Sequence, residues 1–239
     1  MPVNVNKSGP KNRCFLSKDL GVVCFLFVVL FLAAGCSTTA NQPPGEKTKE
    51  INKPSPSPVE LIPEEKLCVY DLAVLGARQE VINAVSYDAA YRKLDYPDGD
   101  VPPDRGACTD VVIRAYRNAG IDLQKLIHED MQAAFKSYPQ NWGLDGPDPN
   151  IDHRRVPNQM KFFERHGQAL TLSTAKADLA DWQWGDVVYW KFTNGLEHCG
   201  IISDRKNDQG MPLAIHNAGL AREEDCLERW EIIGHYRYP

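Results

Sequence analysis

PPDRGACTDVVIRAYRNAG, residues 102–120, joins a loop of Pro, Asp, Arg and Gly directly to a helical pattern. Val111, Val112, Ala115, Tyr116 and Ala119 recur at the spacing of one helix face. Gly120 stands where a left-handed C-terminal residue is expected. Cys108 precedes Val111 and Val112 by three and four residues, which puts it at the N-terminal tip on the core-facing side. That end of a helix carries unpaired N–H groups and partial positive charge, and both favour a thiolate. The placement marks Cys108 as a candidate nucleophile.

Outward from this helix the pattern changes twice. Toward the N-terminus, residues 72–85 and the segment on to Leu94 read as helix. Toward the C-terminus, residues 122–138 form a third helical pattern, and QMKFFERHG (159–167) a short fourth one. Between these two lies a proline-rich loop containing DPNIDHRRVPN (148–158), long enough to suggest function. The period then shortens to that of strands in WGDVVYWKF (184–192), EHCGIIS (197–203), PLAIHN (212–217) and EIIGHYRY (231–238). Helices followed by an antiparallel sheet make an α+β domain, expected over residues 66–239.

The first 65 residues read differently. A basic start with Lys7, Lys11, Arg13 and Lys18 leads into LGVVCFLFVVLFLAAG (20–35), and Cys36 follows. This is the pattern of a signal peptide ending at residue 35, and LAAGC resembles the bacterial lipobox. The expectation is a lipid on Cys36, which makes the membrane a partner through that lipid. Residues 36–65, with six prolines between 37 and 63, form a linker. Ser37 after the lipidated Cys implies, by the sorting rule of such proteins, a periplasmic outer-membrane lipoprotein. Without residues 1–35 the chain holds 23 basic and 31 acidic residues, a formal charge of −8. It shows no basic stripe, so nucleic acid is excluded as a partner. Of the cysteines left, a bridge between Cys68 and Cys226 and plain buried thiols are both compatible with the spacing.

A nucleophilic thiol needs a base and a group that orients the base. His198 opens one strand and His216 ends the next, with a turn between them. Alternation gives His198, Gly200 and Ile202 one face, and a register near 198-opposite-216 would join the two imidazoles. Gly200 would leave room on that face for the helix tip. Cys108, His198 and His216 are therefore the expected nucleophile, base and orienting residue. In the 148–158 loop, Asp152, His153, Arg154 and Arg155 are expected to bind substrate or to form a lid, since paired arginines suit carboxylates. Its DxNxD start lacks the sixth-position Gly and closing Glu of a calcium loop. Zinc on His198, Cys199 and His216 is opposed by the strand, which turns adjacent residues to opposite faces. No metal and no cofactor is expected.

The ordered set of the Cys108 helix, WGDVVYW, EHCGIISD and AIHNAG is similar to the NlpC-type branch of papain-like cysteine peptidases. That resemblance implies a papain-like fold and amide hydrolysis, and it maps the same three roles onto Cys108, His198 and His216. It also implies an oxyanion-supporting tyrosine, for which Tyr96 stands twelve residues before Cys108. Ala107 and Thr109 replace the Asp and Ser that flank the family's cysteine and help to read a peptide amine, while Asp110 follows two residues later and joins the expected substrate-binding set. Over about residues 80–239 the chain also resembles the bacterial YijF-like family, domain of unknown function 1287, through DRGACTDVVIRAYRNAGIDLQKLIHEDM, DPNIDHRRVPN and GHYRYP. The resulting expectation is a cysteine peptidase or amidase acting on peptidoglycan or another envelope amide. Acyl transfer with the same residues, and a non-catalytic binding lipoprotein of the same fold, are the alternatives.

Overall fold

The computed structural model describes residues 55–239. The signal peptide, Cys36 and most of the expected linker lie outside these residues. Helices come first: α1 (Val69–Ile82), α2 (Cys108–Asn118), α3 (Leu123–Ala134) and α4 (Val156–His166). Two short strands, β1 (Ser86–Tyr87) and β2 (Arg105–Gly106), form a parallel pair ahead of α2. β3 (Gln168–Ala169), β4 (Val187–Lys191), β5 (Glu197–Lys206), β6 (Pro212–Asn217), β7 (Ala221–Glu224) and β8 (Glu231–Arg237) make one antiparallel sheet in the order β3-β8-β4-β5-β6-β7. The molecule is α+β, with helices leading into a C-terminal antiparallel sheet.

Burial follows the two periods. Val187, Tyr189, Cys199, Ile201 and Ile215 turn to the helices and pack on Val111, Val112, Ala115 and Tyr116 of α2. Val188, Trp190, Ile202 and Ala214 point the other way and are covered by Trp182, Cys226 and Leu227 from connecting segments. Both faces are dry, so the strands read as near-continuous apolar runs rather than as strict alternation. Helix α2 is also buried beyond its expected stripe: Ile113 is buried as well, because α1 and α3 flank the helix. Its C-terminus closes as anticipated. Gly120 has φ +76°, the Gly120 N–H donates to Arg117 O, and the Ile121 N–H donates to Tyr116 O.

Three expectations change. The first helix stops at Ile82: Ala84 takes φ +49° and the chain turns into β1, so residues 83–94 are not helical. The fourth helix begins three residues early, because the preceding loop tightens into a 3-10 turn, Asp152–Arg154, that feeds it. The end of the expected linker belongs to the folded body. Val59 is buried and its N–H donates to Asp204 Oδ2 at 2.7 Å. Arg78 on α1 bonds Ser57, Asp204 and Glu223, tying this segment to β5 and β7.

Candidate active site

Cys108 is the first residue of α2, after Ala107 in extended conformation. Three contacts fix this tip. The Asp110 carboxylate accepts the Ala107 N–H at 2.6 Å, reaching back as an acidic residue at the third helical position does. The Thr109 hydroxyl donates to Arg154 O at 3.0 Å. Gln159 on α4 donates to Thr109 O and accepts from the Tyr189 hydroxyl. Gly106 leaves the space that Asp110 fills, since a Cβ there would lie 3.0 Å from the Asp110 Cβ.

The Cys108 sulfur meets the start of β5. A hydrogen bond from the Cys199 thiol is the largest influence holding the Cys108 pKa well below the usual thiol value. Burial opposes it, and the hydrogen bond and charge of His198 together with the Cys199 amide reinforce it. Cys199 moves the other way: burial and the neighbouring Cys108 sulfur push it well above the usual value, so it stays a thiol and donates. Two buried thiols in contact are thus shifted in opposite directions, Cys108 toward the thiolate and Cys199 toward the thiol.

His198 Nε2 lies 2.9 Å from His216 Nδ1, and His216 Nε2 lies 3.1 Å from Glu224 Oε1. Arg229 donates to the same oxygen at 2.6 Å. The carboxylate sets every proton along this line. Glu224 accepts from His216 Nε2–H, so His216 Nδ1 is left to accept from His198 Nε2–H. The other nitrogen of His198, Nδ1, is thereby left for Cys108. Burial, and then the charge on His198, press the His216 pKa down to about 4. Burial pushes the Glu224 pKa up, but its bonds with Arg229 and His216 outweigh this and hold it below the ordinary carboxylate value. Trp190 and Phe192 stack near the His198 ring, with centroids at 5.7 and 5.0 Å, and Trp230 meets it edge-on.

The structure brings Cys108, His198 and His216 together by a register different from the expected one. Gly200, not His198, lies opposite His216, so the imidazoles meet diagonally on one face. Gly200 does make room, but for His216 and Trp190: a Cβ there would lie 3.0 Å from the His216 Cβ and 3.3 Å from the Trp190 ring. The helix tip approaches over the Cys199 side instead. Tyr96 packs edge-on against His128 of α3, with Glu129 and Asp122 as its charged neighbours, away from the thiol. The exposed tyrosine that feels the charge of Cys108 is Tyr87. Burial raises its pKa to about 12, followed by the charges of Cys108, Cys199 and Asp110. Tyr87 is also 46% exposed, whereas Cys108 is 4% and His198 2%, so it forms the solvent side of the site.

The expected substrate-binding residues are mostly spent internally. Arg154 Nε and Nη2 bond both oxygens of Asp110 at 2.9 and 2.8 Å, and its remaining donors reach Ala90 O and Asp88 O. Asp152 accepts from the Asp148 N–H and from Arg155 at 2.9 Å, and the Arg155 guanidinium lies over the Trp142 ring. His153 is buried, and burial followed by the Arg154 charge takes its pKa down to about 3. A guanidinium already engaged at Nε, Nη1 and Nη2 has no fork to offer a ligand carboxylate. Through Arg154 the loop holds the helix tip. Cys108, Cys199 and Cys226 are free thiols, so no bridge joins Cys226 to Cys68.

Sequence reasoning missed Tyr87, Cys199 and Glu224. Tyr87 fell in a segment read as helix. Glu224 had a legible signal: NAGL (217–220) is a turn, and a strand returning from it brings an acidic side chain onto the His216 face.

The family model described as Domain of unknown function (DUF1287) matches residues 74–238. The chain is also 50% identical over 184 residues to the protein of Escherichia coli (strain K12) called "Uncharacterized protein YijF", an alignment that spans 77% of this chain and 86% of that one.

Proposed function

This chain belongs to the DUF1287 family, and we propose that it is a papain-like thiol hydrolase that cleaves an amide bond of the cell envelope. The observation that supports this most is the line Glu224–His216–His198 ending on a helix-tip thiol whose pKa is depressed. The resemblance to NlpC-type peptidases supports the peptide or amide class of substrate. Peptidoglycan is the first candidate, with the domain tethered to the membrane by a lipid on Cys36.

The Cys108 thiolate attacks the carbonyl carbon. Charge then develops on the carbonyl oxygen, which the N–H groups at the start of α2 and the Tyr87 hydroxyl receive. His198, protonated on both nitrogens, passes its Nδ1 proton to the leaving amine and leaves an acyl-enzyme. Neutral His198 next draws a proton from water, which displaces Cys108. Throughout, His216 holds His198 Nε2–H and Glu224 holds His216 Nε2–H, so the ring keeps one orientation and one tautomer.

Mass spectrometry of purified cell-wall fragments after incubation with the wild-type protein and with Cys108→Ala tests this reading. The expected result is a new amine and a new carboxyl terminus with the wild type alone. Fragments left intact by the wild type, or cut equally by both proteins, would remove envelope-amide cleavage by this thiol.

A further inference from the structure

Cys226 is a buried thiol for which the hydrolytic scheme has no task. It lies two residues beyond β7 and is 2% exposed. Its sulfur, a ring nitrogen of His216 and a carboxylate oxygen of Glu224 all lie within 4.8 Å of one another. Thiol, imidazole and carboxylate are the donor set that zinc-class ions take, with bonds of about 2.0–2.3 Å. Tetrahedral bonds of that length put donors about 3.5 Å apart, so about 1 Å of closure completes the set. His216 and Glu224 are fixed on adjacent strands, already 3.1 Å apart. Arg229 now supplies the positive charge at Glu224 from an exposed position, its side chain being 44% accessible, so it can swing into water when an ion replaces it. The partly exposed Glu224 gives the ion a way in.

We propose that His216, Glu224 and Cys226 form a site for a zinc-class divalent ion and that its occupation switches off Cys108. The second half rests on the hydrolase reading; the first does not. Coordination takes the lone pair of His216 Nε2 and releases two protons, one from that nitrogen and one from the Cys226 thiol. Neutral His216 must then carry its proton on Nδ1, and it takes that proton from His198 Nε2. The proton of His198 then sits on the nitrogen that faces Cys108. In that tautomer it cannot accept a proton from the thiol. The ion therefore converts the base into a donor without touching the nucleophile.

Cobalt(II) titration of the full chain in detergent tests the site without any substrate. A thiolate-to-cobalt charge-transfer band is expected in the wild type and in Cys108→Ala, displaced by zinc(II) and absent in Cys226→Ala. A wild type without the band, or a band lost in Cys108→Ala and kept in Cys226→Ala, overturns the site. Should Cys226→Ala fail to fold by circular dichroism, protection of Cys226 from alkylation by zinc(II) in the wild type decides the same point. The switch is read from iodoacetamide alkylation of Cys108. Zinc(II) is expected to slow it at least tenfold in the wild type and not in Cys226→Ala. Binding at Cys226 with an unchanged alkylation rate overturns the switch. Equal slowing in Cys226→Ala shows zinc on Cys108 itself and overturns it too. A metal-free Cys108 that alkylates no faster than Cys199 counts against the hydrolase reading, while the cobalt result still decides the site.

Discussion

Two buried polar clusters meet at the start of α2, and they are built in opposite ways. In Asp110–Arg154 every bond closes on the fold: the guanidinium spans both carboxylate oxygens and two backbone carbonyls, and the carboxylate also takes the Ala107 N–H. In Glu224–His216–His198 the bonds run one way and end at Cys108. A closed cluster can only position what it touches, whereas an open line of rings can carry a proton to its end. Burial and charge look alike in the two, and the direction of the hydrogen bonds separates them.

The largest effect should come from opening the closed cluster. Arg154→Ala leaves the Asp110 carboxylate buried without its partner, and urea unfolding is expected to show a loss of about 3–5 kcal/mol. A loss below 1 kcal/mol would mean the ion pair does not hold the helix tip.

Acid should reach the open line and the 148–158 loop. His216 and His153, with pKa values of about 4 and about 3 in the fold, are neutral there, while the unfolded chain takes up protons near the ordinary 6.5. The unfolded state therefore binds more protons below that value. Stability is full above about pH 6.5 and falls as the pH drops through 4 toward 3, by an amount on the order of 3 kcal/mol from His216 alone. Melting temperature against pH checks this, and a flat profile between 6.5 and 4 would contradict the neutral His216 on which the proton line depends.

Breaking the open line should spare the fold and change the thiol. His198→Ala is expected to raise the pH midpoint of Cys108 alkylation and to slow alkylation near neutral pH, with little change in urea midpoint. An unchanged midpoint would leave Cys199 and the helix tip to stabilise the anion.

The smallest effect tests the far end of the line. Glu224→Gln keeps the shape but no longer dictates which His216 nitrogen bears the proton. Alkylation of Cys108 is expected to slow by a factor of about 3–10 near neutral pH, with the larger loss in His216→Ala and a smaller one in His216→Asn. Equal rates in all three would make His216 a packing residue.

Much of the site was legible because its signals are local. The period of 102–120 placed Cys108 at a helix tip, and strand alternation put His198 and His216 on one face. Arg154 was less legible: beside Arg155 it has the form of a binding group, and nothing local shows that Asp110, Asp88 and Ala90 already occupy it. Tyr96 was chosen by its distance from Cys108 along the chain, which says nothing about how the 83–106 segment folds back to bring Tyr87 there instead.

The sequence by itself determined the order of helices and strands, the helix-tip thiol, the closing Gly120 and the pair of strand histidines. Each depends on a repeat of 3.6 or 2 residues, or on a backbone preference that neighbouring residues carry. The tertiary structure alone decided the register that makes His198 and His216 diagonal neighbours, the return of Glu224 to His216, the contact of Cys199 with Cys108, and the sealing of Arg154 by Asp110. These depend on which groups lose water together and which donor then finds which acceptor. That is a property of distances between residues far apart in the chain, as in the bond from Asn217 to Val85 across 132 positions, and no local pattern encodes it.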